Sequence, residues 1–279
     1  RELLPLLSPV GLDPAHPFPK LLNKSLNFLV TLEGTDAFGR PNVLTTEGPV
    51  HAELRAGIEP HYRPRKVTEY IDALVRPIAS AQLAAFRASG DNDLMAGYFE
   101  PISALSLARS FGISEPDVAT LRRWFHGLCE GAINFERDPA RKAICERAVA
   151  EIESVLTPLL DRLRDAPDGS PLSHLLHAGM PAGQTRPYAR ILPSVKVTLL
   201  GGMQEPGHGA GSIVTGLLTN PDQMAALRAD LDGLLAQTID EGLRWIAPIG
   251  TMMRTASRDT RVNGTAVPQG TAVSLIMAS

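Results

Sequence analysis

The chain has 279 residues, 44% of them apolar and 20% charged, with Lys plus Arg at 27, Asp plus Glu at 30 and a net charge of −3. That balance excludes a disordered chain, which is poorer in apolar residues and more highly charged, and leaves no basic excess for neutralising a nucleic-acid backbone. No run reaches the ~18 apolar residues that span a bilayer, and Cys129 and Cys145 are too few for a disulfide framework and wrongly spaced for zinc. A cytoplasmic protein with no membrane segment and no metal held by its own cysteines or histidines is expected.

Helical spacing dominates the pattern. Apolar residues recur at three and four from Val67 to Ala88, where Pro77 predicts a kink or a junction. The same spacing predicts helices over Glu115–Leu128 and Arg141–Leu163. Asp165–Thr185 is rich in Gly, Pro and Ser and predicts a loop around one short helix. A long apolar helix follows, from about Tyr188 to Leu218, and Asn220-Pro221 reads as the N-cap and first position of the next. Thr251–Arg254, Thr260–Asn263 and Ala272–Ile276 predict short strands, with turns at Gly264 and Pro268-Gln269-Gly270. There is no strand–helix alternation, so the expected class is mainly α with a small β region.

Three segments stand out chemically. His51-Ala-Glu-Leu-Arg55 puts two donors one helical turn apart, able to face one anion; in isolation the pentapeptide reads rather as a capping histidine beside a surface arginine. Leu199-Leu-Gly-Gly-Met-Gln-Glu-Pro-Gly-His-Gly209 sets glycines, Pro206 and the carboxylate of Glu205 inside an apolar helix. Local rules of this kind fail most often at functional sites, although a tolerated kink would read the same way. Glu241-Gly-Leu-Arg244 pairs an acid and a base at i, i+3, a common surface motif made specific here by Trp245, Pro248 and then Arg254. His174 and His177 lack a third ligand for a metal, and His16, His61 and His126 read as surface or loop residues. Gly207–Ser212 follows a helix rather than a strand and is not a nucleotide loop.

In this order the three segments resemble the cytochrome P450 family of haem-thiolate monooxygenases, from roughly Asn27 to the end. The resemblance implies one domain over residues 1–279, haem b as cofactor, and propionate contacts from His51, Arg55 and Arg254. It makes Glu241 and Arg244 a structural pair and Glu205 the catalytic acid. AFGRPNVLTTEGPVHAELR, HAGMPAGQTR, LLGGMQEPGHG and IDEGLRWIAPI further resemble the guaiacol O-demethylase subfamily, which takes the methyl group from methoxyphenols to give catechols and formaldehyde. Most of the family has a threonine where Pro206 follows the acid, so Glu205 is expected to act through water. Carried over by position, Phe38, Leu44, Val197, Leu200, Gly201, Ile249 and Thr251 would touch the substrate. Ala132 would stand where the guaiacol enzyme has a phenylalanine, favouring guaiacols with a para alkyl chain unless Phe125 or Phe135 refills the space.

The resemblance also implies partners: dioxygen, a small aromatic substrate, and NADH electrons through a separate flavin or iron–sulfur reductase. The family's axial cysteine lies in a loop that would come after Ser279, and neither Cys129 nor Cys145 has its context. The expected chain is therefore a piece of a longer enzyme, incomplete at both ends. The alternatives are a hydroxylase of another apolar molecule such as a terpene, or a non-catalytic aromatic-binding relative.

Overall fold

The computed structural model describes residues 37–276 except 91, 92 and 135, and leaves out the side chains of 204, 252 and 253. The start of the family resemblance at Asn27, and residues 1–36 generally, lie outside the described residues. Among the described residues ten α-helices precede four short strands. The helices are α1 (Gly48–Ile58), α2 (Pro64–Tyr70), α3 (Arg76–Ser89), α4 (Glu100–Phe111), α5 (Val118–Ala132), α6 (Pro139–Asp165), α7 (Pro171–His177), α8 (Tyr188–Thr219), α9 (Pro221–Ala229) and α10 (Leu231–Trp245). The mainly α class expected from the spacing is the observed one.

Helix starts follow local chemistry. Asp117 accepts the backbone N–H of Thr120 at 2.8 Å, Asp138 that of Ala140 at 2.7 Å, and Ser170 that of Ser173 at 3.1 Å. Each satisfies an amide that the first turn leaves without an intrahelical partner. Asn220 departs from its expected role: it makes no side-chain cap for α9, and its Nδ2 instead donates to Gly216 O at 2.8 Å, closing the end of α8.

Two prolines are approached through widened turns. A π-helical segment, Ile71–Val75, joins α2 to α3 just before Pro77, and Met95–Phe99 leads into α4 just before Pro101. A proline ring presses on the carbonyl four residues back and has no N–H to give it, so a turn closed by i→i+5 bonds relieves both problems. The first matches the junction expected at Pro77. The second hides α4 from spacing arguments, because Gly97 and Pro101 read as breakers.

The core lies where α4, α5, α6, α7 and α8 meet. Trp124, Phe111, Leu121, Leu128, Ile152, Leu156, Leu160, Leu172 and Leu176 are fully buried there. Helices α5 and α6 cross closely: a Cβ on Gly127 would collide with Ala148, and one on Gly131 with the Cys145 sulfur. Cys145 is thus a packing residue of that crossing.

The chain divides into two compact units, and the helices all belong to one of them, within Leu32–Arg254. The described part of the other, 255–274, holds a hairpin of β2 (Thr260–Val262) and β3 (Thr265–Val267), with Thr260 opposite Val267 and Val262 opposite Thr265. Its two-residue turn, Asn263-Gly264, has φ of 48° and 83°, the left-handed pair that matches strand twist in a tight hairpin. β1 (Thr251–Thr255) pairs with β4 (Ala272–Ile276).

Candidate functional site

The centre of the site is α8, and its glycines have two different uses. A Cβ on Gly202 would meet the Leu107 methyls at 2.7 and 2.8 Å, one on Gly207 the Phe99 carbonyl at 3.2 Å, and one on Gly211 the Met95 sulfur. Gly209 and Gly216 likewise abut Leu243 and Trp245. These five let neighbouring segments approach the helix. Gly201 differs: the nearest atoms to its hypothetical Cβ belong to the Glu205 carboxylate one turn away, at 3.4 to 3.9 Å. Of the glycines in α8, Gly201 alone has no other described element among its nearest neighbours.

Pro206 acts with Gly202. Its missing N–H would have bonded the Gly202 carbonyl, and the buried Ser103 hydroxyl on α4 donates to that oxygen at 3.3 Å. The helix runs unbroken through this point. Proline here frees an acceptor for α4 and withholds a hydroxyl from the position after Glu205.

Val197, Gly201 and Glu205 recur every four residues and share one face of α8. Val197 and Leu200 pack against the apolar core. Glu205 is half-buried, and burial pushes its carboxyl above the ordinary 4.5, with no cation offsetting the shift. An acid at such a place holds its proton further toward neutrality than a surface carboxylate.

Cys129 and Ala132, at the end of α5, belong to the same neighbourhood and pack against the core. Burial first, then the charges of Glu130 and Glu205, pushes the Cys129 thiol to about 11. Cys145 is also pushed up, chiefly by burial. Neither thiol is poised as a thiolate in this environment. Phe38 is buried in the core itself, as is Phe125 at 8% exposure, while Phe135 lies outside the described residues.

The cationic set is held more openly. His51 is half-buried on α1, and Arg55 is 59% exposed with its Nε on Glu59 at 2.8 Å. On α10, Arg244 forks onto Glu241 with bonds of 2.7 and 2.6 Å, the two-point geometry expected of the pair, on an exposed surface. Arg254 lies on β1 and is exposed. Leu44 at 73% and Ile249 at 45% exposure, with Thr251 also exposed, stand open to solvent, whereas Val197, Leu200 and Ala132 are partly buried against the core. In charge, His51, Arg55 and Arg254 fit the two carboxylates of a haem, and Gly201 offers a flat group close approach. By its chemistry the donor set suits the carboxylates of that cofactor.

Sequence reasoning missed two features. Glu53 of α1 receives Arg186 Nε at 2.9 Å and Arg190 at 3.1 Å, a contact spanning more than 130 positions that no local pattern announces. An apolar cavity of about 440 Å³ lies on the opposite side of α8, against Pro206 and Ala210, and is walled by Tyr70, Leu74, Ile102 and Leu107. The histidines resolve simply: His174 Nδ1 meets Gly57 O and His177 Nε2 meets Leu163 O, both at 2.9 Å. His61 stands against the His174 ring rather than free in a loop. No group of three metal-ligating side chains occurs among the described residues, and no described helix is long and apolar enough to cross a membrane.

Two families are similar to the chain, one at its first 49 residues and one over most of its length. Residues 1–49 match the family model described as "Polyphosphate kinase middle domain". Over 42 residues, 15% of this chain, identity to the polyphosphate kinase of Neisseria meningitidis serogroup C is 76%, covering 6% of that protein. The reading of the sequence did not foresee this. Cytochrome P450 130 of Mycobacterium tuberculosis is 28% identical over 240 residues, 86% of this chain and 58% of that protein. Cytochrome P450 monooxygenase PikC of Streptomyces venezuelae is 28% identical over 275 residues, 96% of this chain and 64% of that protein. The chain thus spans about three-fifths of the length of these P450 relatives. Among solved structures, Mycobacterium marinum cytochrome P450 CYP268A2 in complex with pseudoionone superposes with a TM-score of 0.75 at 22% identity, over 88% of this chain and 58% of that one. The described residues have the cytochrome P450 fold, and the similarity in sequence supports the cytochrome P450 family.

Proposed function

We propose that the chain forms the distal and propionate-binding part of a haem-dependent monooxygenase that O-demethylates methoxyphenols, guaiacol and above all 4-alkylguaiacols, to catechols and formaldehyde. The observation that carries this reading is the half-buried acid Glu205, with Pro206 after it and Gly201 one turn before it. Haem b, when bound, supplies the dioxygen chemistry. His51, Arg55 and Arg254 would hold its propionates, and Glu241–Arg244 would brace the α10 end of the site. Val197, Leu200, Gly201 and Ala132 would present an apolar surface to the aromatic ring, with Phe38, Leu44, Ile249 and Thr251 completing the contact set. Glu205 would relay protons through water, since the residue after it has no hydroxyl. The reading includes a cytoplasmic protein, a single P450 domain, and NADH electrons delivered by a separate flavin or iron–sulfur reductase.

The test is the absorption spectrum of the protein expressed from its natural gene, reduced under carbon monoxide and then titrated, in the oxidised form, with guaiacol. A Soret band typical of thiolate-ligated haem, with a guaiacol-induced shift, is the expected result. A histidine-type band or no haem overturns the monooxygenase and leaves an aromatic-binding relative.

One observation favours a second substrate. The similar CYP268A2 is seen with pseudoionone, and an apolar face at α8 would also take a terpenoid chain. A thiolate-type band that shifts with pseudoionone but not with guaiacol selects this hydroxylase over the demethylase.

A further inference from the structure

We propose that Glu53, clasped by Arg186 and Arg190, is a positioning residue that aims the His51/Arg55 face of α1. The proposal rests on the reading that this face takes the haem propionates. In a helix of 3.6 residues per turn His51 and Arg55 lie about 40° apart around the axis, whereas Glu53 sits about 200° from His51, on the back. Gly57 shares that back face with Glu53, one turn on.

The back face is where α1 is fixed. Glu53 Oε1 takes Arg186 Nε at 2.9 Å and Oε2 takes Arg190 Nη2 at 3.1 Å. Arg186 is 6% exposed and spends its Nη1 on the Leu175 carbonyl of α7 at 2.6 Å. Four residues along α1, Gly57 lies so close to Leu175 that an added Cβ would stand 2.5 Å from its Cδ1 and 3.3 Å from its Cα. The Gly57 carbonyl also receives His174 at 2.9 Å. Glu53 therefore ties α1 to α7 and, through Arg190, to the first turn of α8, the helix that carries Glu205. The two arginines hold the Glu53 carboxyl below its ordinary value, so the clasp is charged at neutral pH. Among the described residues the front of α1 shows no comparable tie, and Arg55 pairs along its own chain with Glu59.

The molecule contains its own control. Lys196 of α8, with a side chain 6% exposed, pairs with Glu153 of α6, 40% exposed, at 2.6 Å; the Arg186–Glu53 pair is buried almost identically, at 7% and 39%. Breaking either strips one buried cation of its carboxylate, but only the second touches α1.

The experiment compares Glu53→Gln, Glu153→Gln, His51→Ala, Arg55→Ala and the Glu53→Gln/Arg55→Ala pair in the haem protein from the natural gene. Haem affinity is read by transfer to apomyoglobin, and amide exchange over residues 48–58 is read without haem. Glu53→Gln is expected to weaken haem binding about tenfold and speed exchange in α1, while Glu153→Gln does neither at a similar loss of thermal stability. The double variant is expected to bind haem no more weakly than Arg55→Ala alone, because the clasp acts through that face. Equal haem affinities of the two glutamine variants, or losses that multiply in the double variant, would overturn the positioning role. If Arg55→Ala and His51→Ala both keep wild-type haem affinity, the propionate reading itself fails and takes the proposal with it. Should Glu53→Gln not fold, Glu53→Asp, which keeps the charge but shortens the reach, takes its place with the same expectations.

Discussion

Gly201 and Gly202 are neighbours with opposite uses, and single substitutions separate them. Gly202→Ala pushes a methyl into Leu107, and the repacking is expected to cost about 1–3 kcal/mol, read by chemical denaturation. Gly201→Ala meets the Glu205 carboxylate at ordinary contact distance, so the fold is expected to hold or to gain up to about 1 kcal/mol of helix propensity. Under the proposed function it is haem or substrate affinity that suffers, read by titration. Glu205 makes a second prediction through its sign. Its folded pKa is raised by burial, so the stability it contributes is present at low pH and is lost as pH rises through the raised value. Glu205→Gln is therefore expected to stabilise the protein at pH 7, by less than about 1 kcal/mol for a half-buried group. That gain should vanish near pH 4; a variant less stable than wild type at pH 7 would contradict the assignment of burial as the cause. At Ala132, restoring a ring is expected to reverse preference: Ala132→Phe should weaken 4-propylguaiacol relative to guaiacol about tenfold in spectral titration.

At the scale of elements, caps and prolines decide where helices begin and how they join. Asp138→Ala removes the acceptor for Ala140 and is expected to cost about 1 kcal/mol, a fall in Tm of about 2–4 °C. Asp117, Asp138 and Ser170 are legible from sequence because a cap is a contact with residues two or three positions on. Asn220 had the same credentials, yet its amide turned back to Gly216, since α8 ends there with a carbonyl to satisfy. The missed helix α4 has the same lesson in it. Gly97 and Pro101 look like punctuation, but a π turn carries the chain past them and the apolar face of α4 is buried on α8. Strand β3 was within reach of the sequence: Asn263-Gly264 is a hairpin turn, and the run after it had only three residues to show.

For the whole molecule, several carboxylates stand opposite to Glu205. Arginines hold Glu53 and Glu151 below the ordinary 4.5, the latter through Arg123. A depressed acid contributes stability above its unfolded pKa and loses it as pH falls through the folded one. Melting followed by circular dichroism should accordingly show stability flat above about pH 5 and declining below pH 4.5. Glu53→Gln should blunt that decline, because the variant no longer has that proton to take up.

The identity of α8 as a long apolar helix, the mainly α class and the Glu205-Pro206 step were all written in the chain, because periodicity and proline chemistry act over a few residues. The resemblance to the P450 family rested on the same short segments. Which glycines make room for a neighbouring helix and which one does not could not be read from LLGGMQEPGHG, for that depends on Leu107, Phe99 and Met95 arriving from a hundred residues away. The exposure of Leu44 and Ile249, the burial of Phe38, and the clasp of Glu53 by Arg186 are of the same kind. Local pattern determines what each segment can be; only long-range packing determines which of its faces is used.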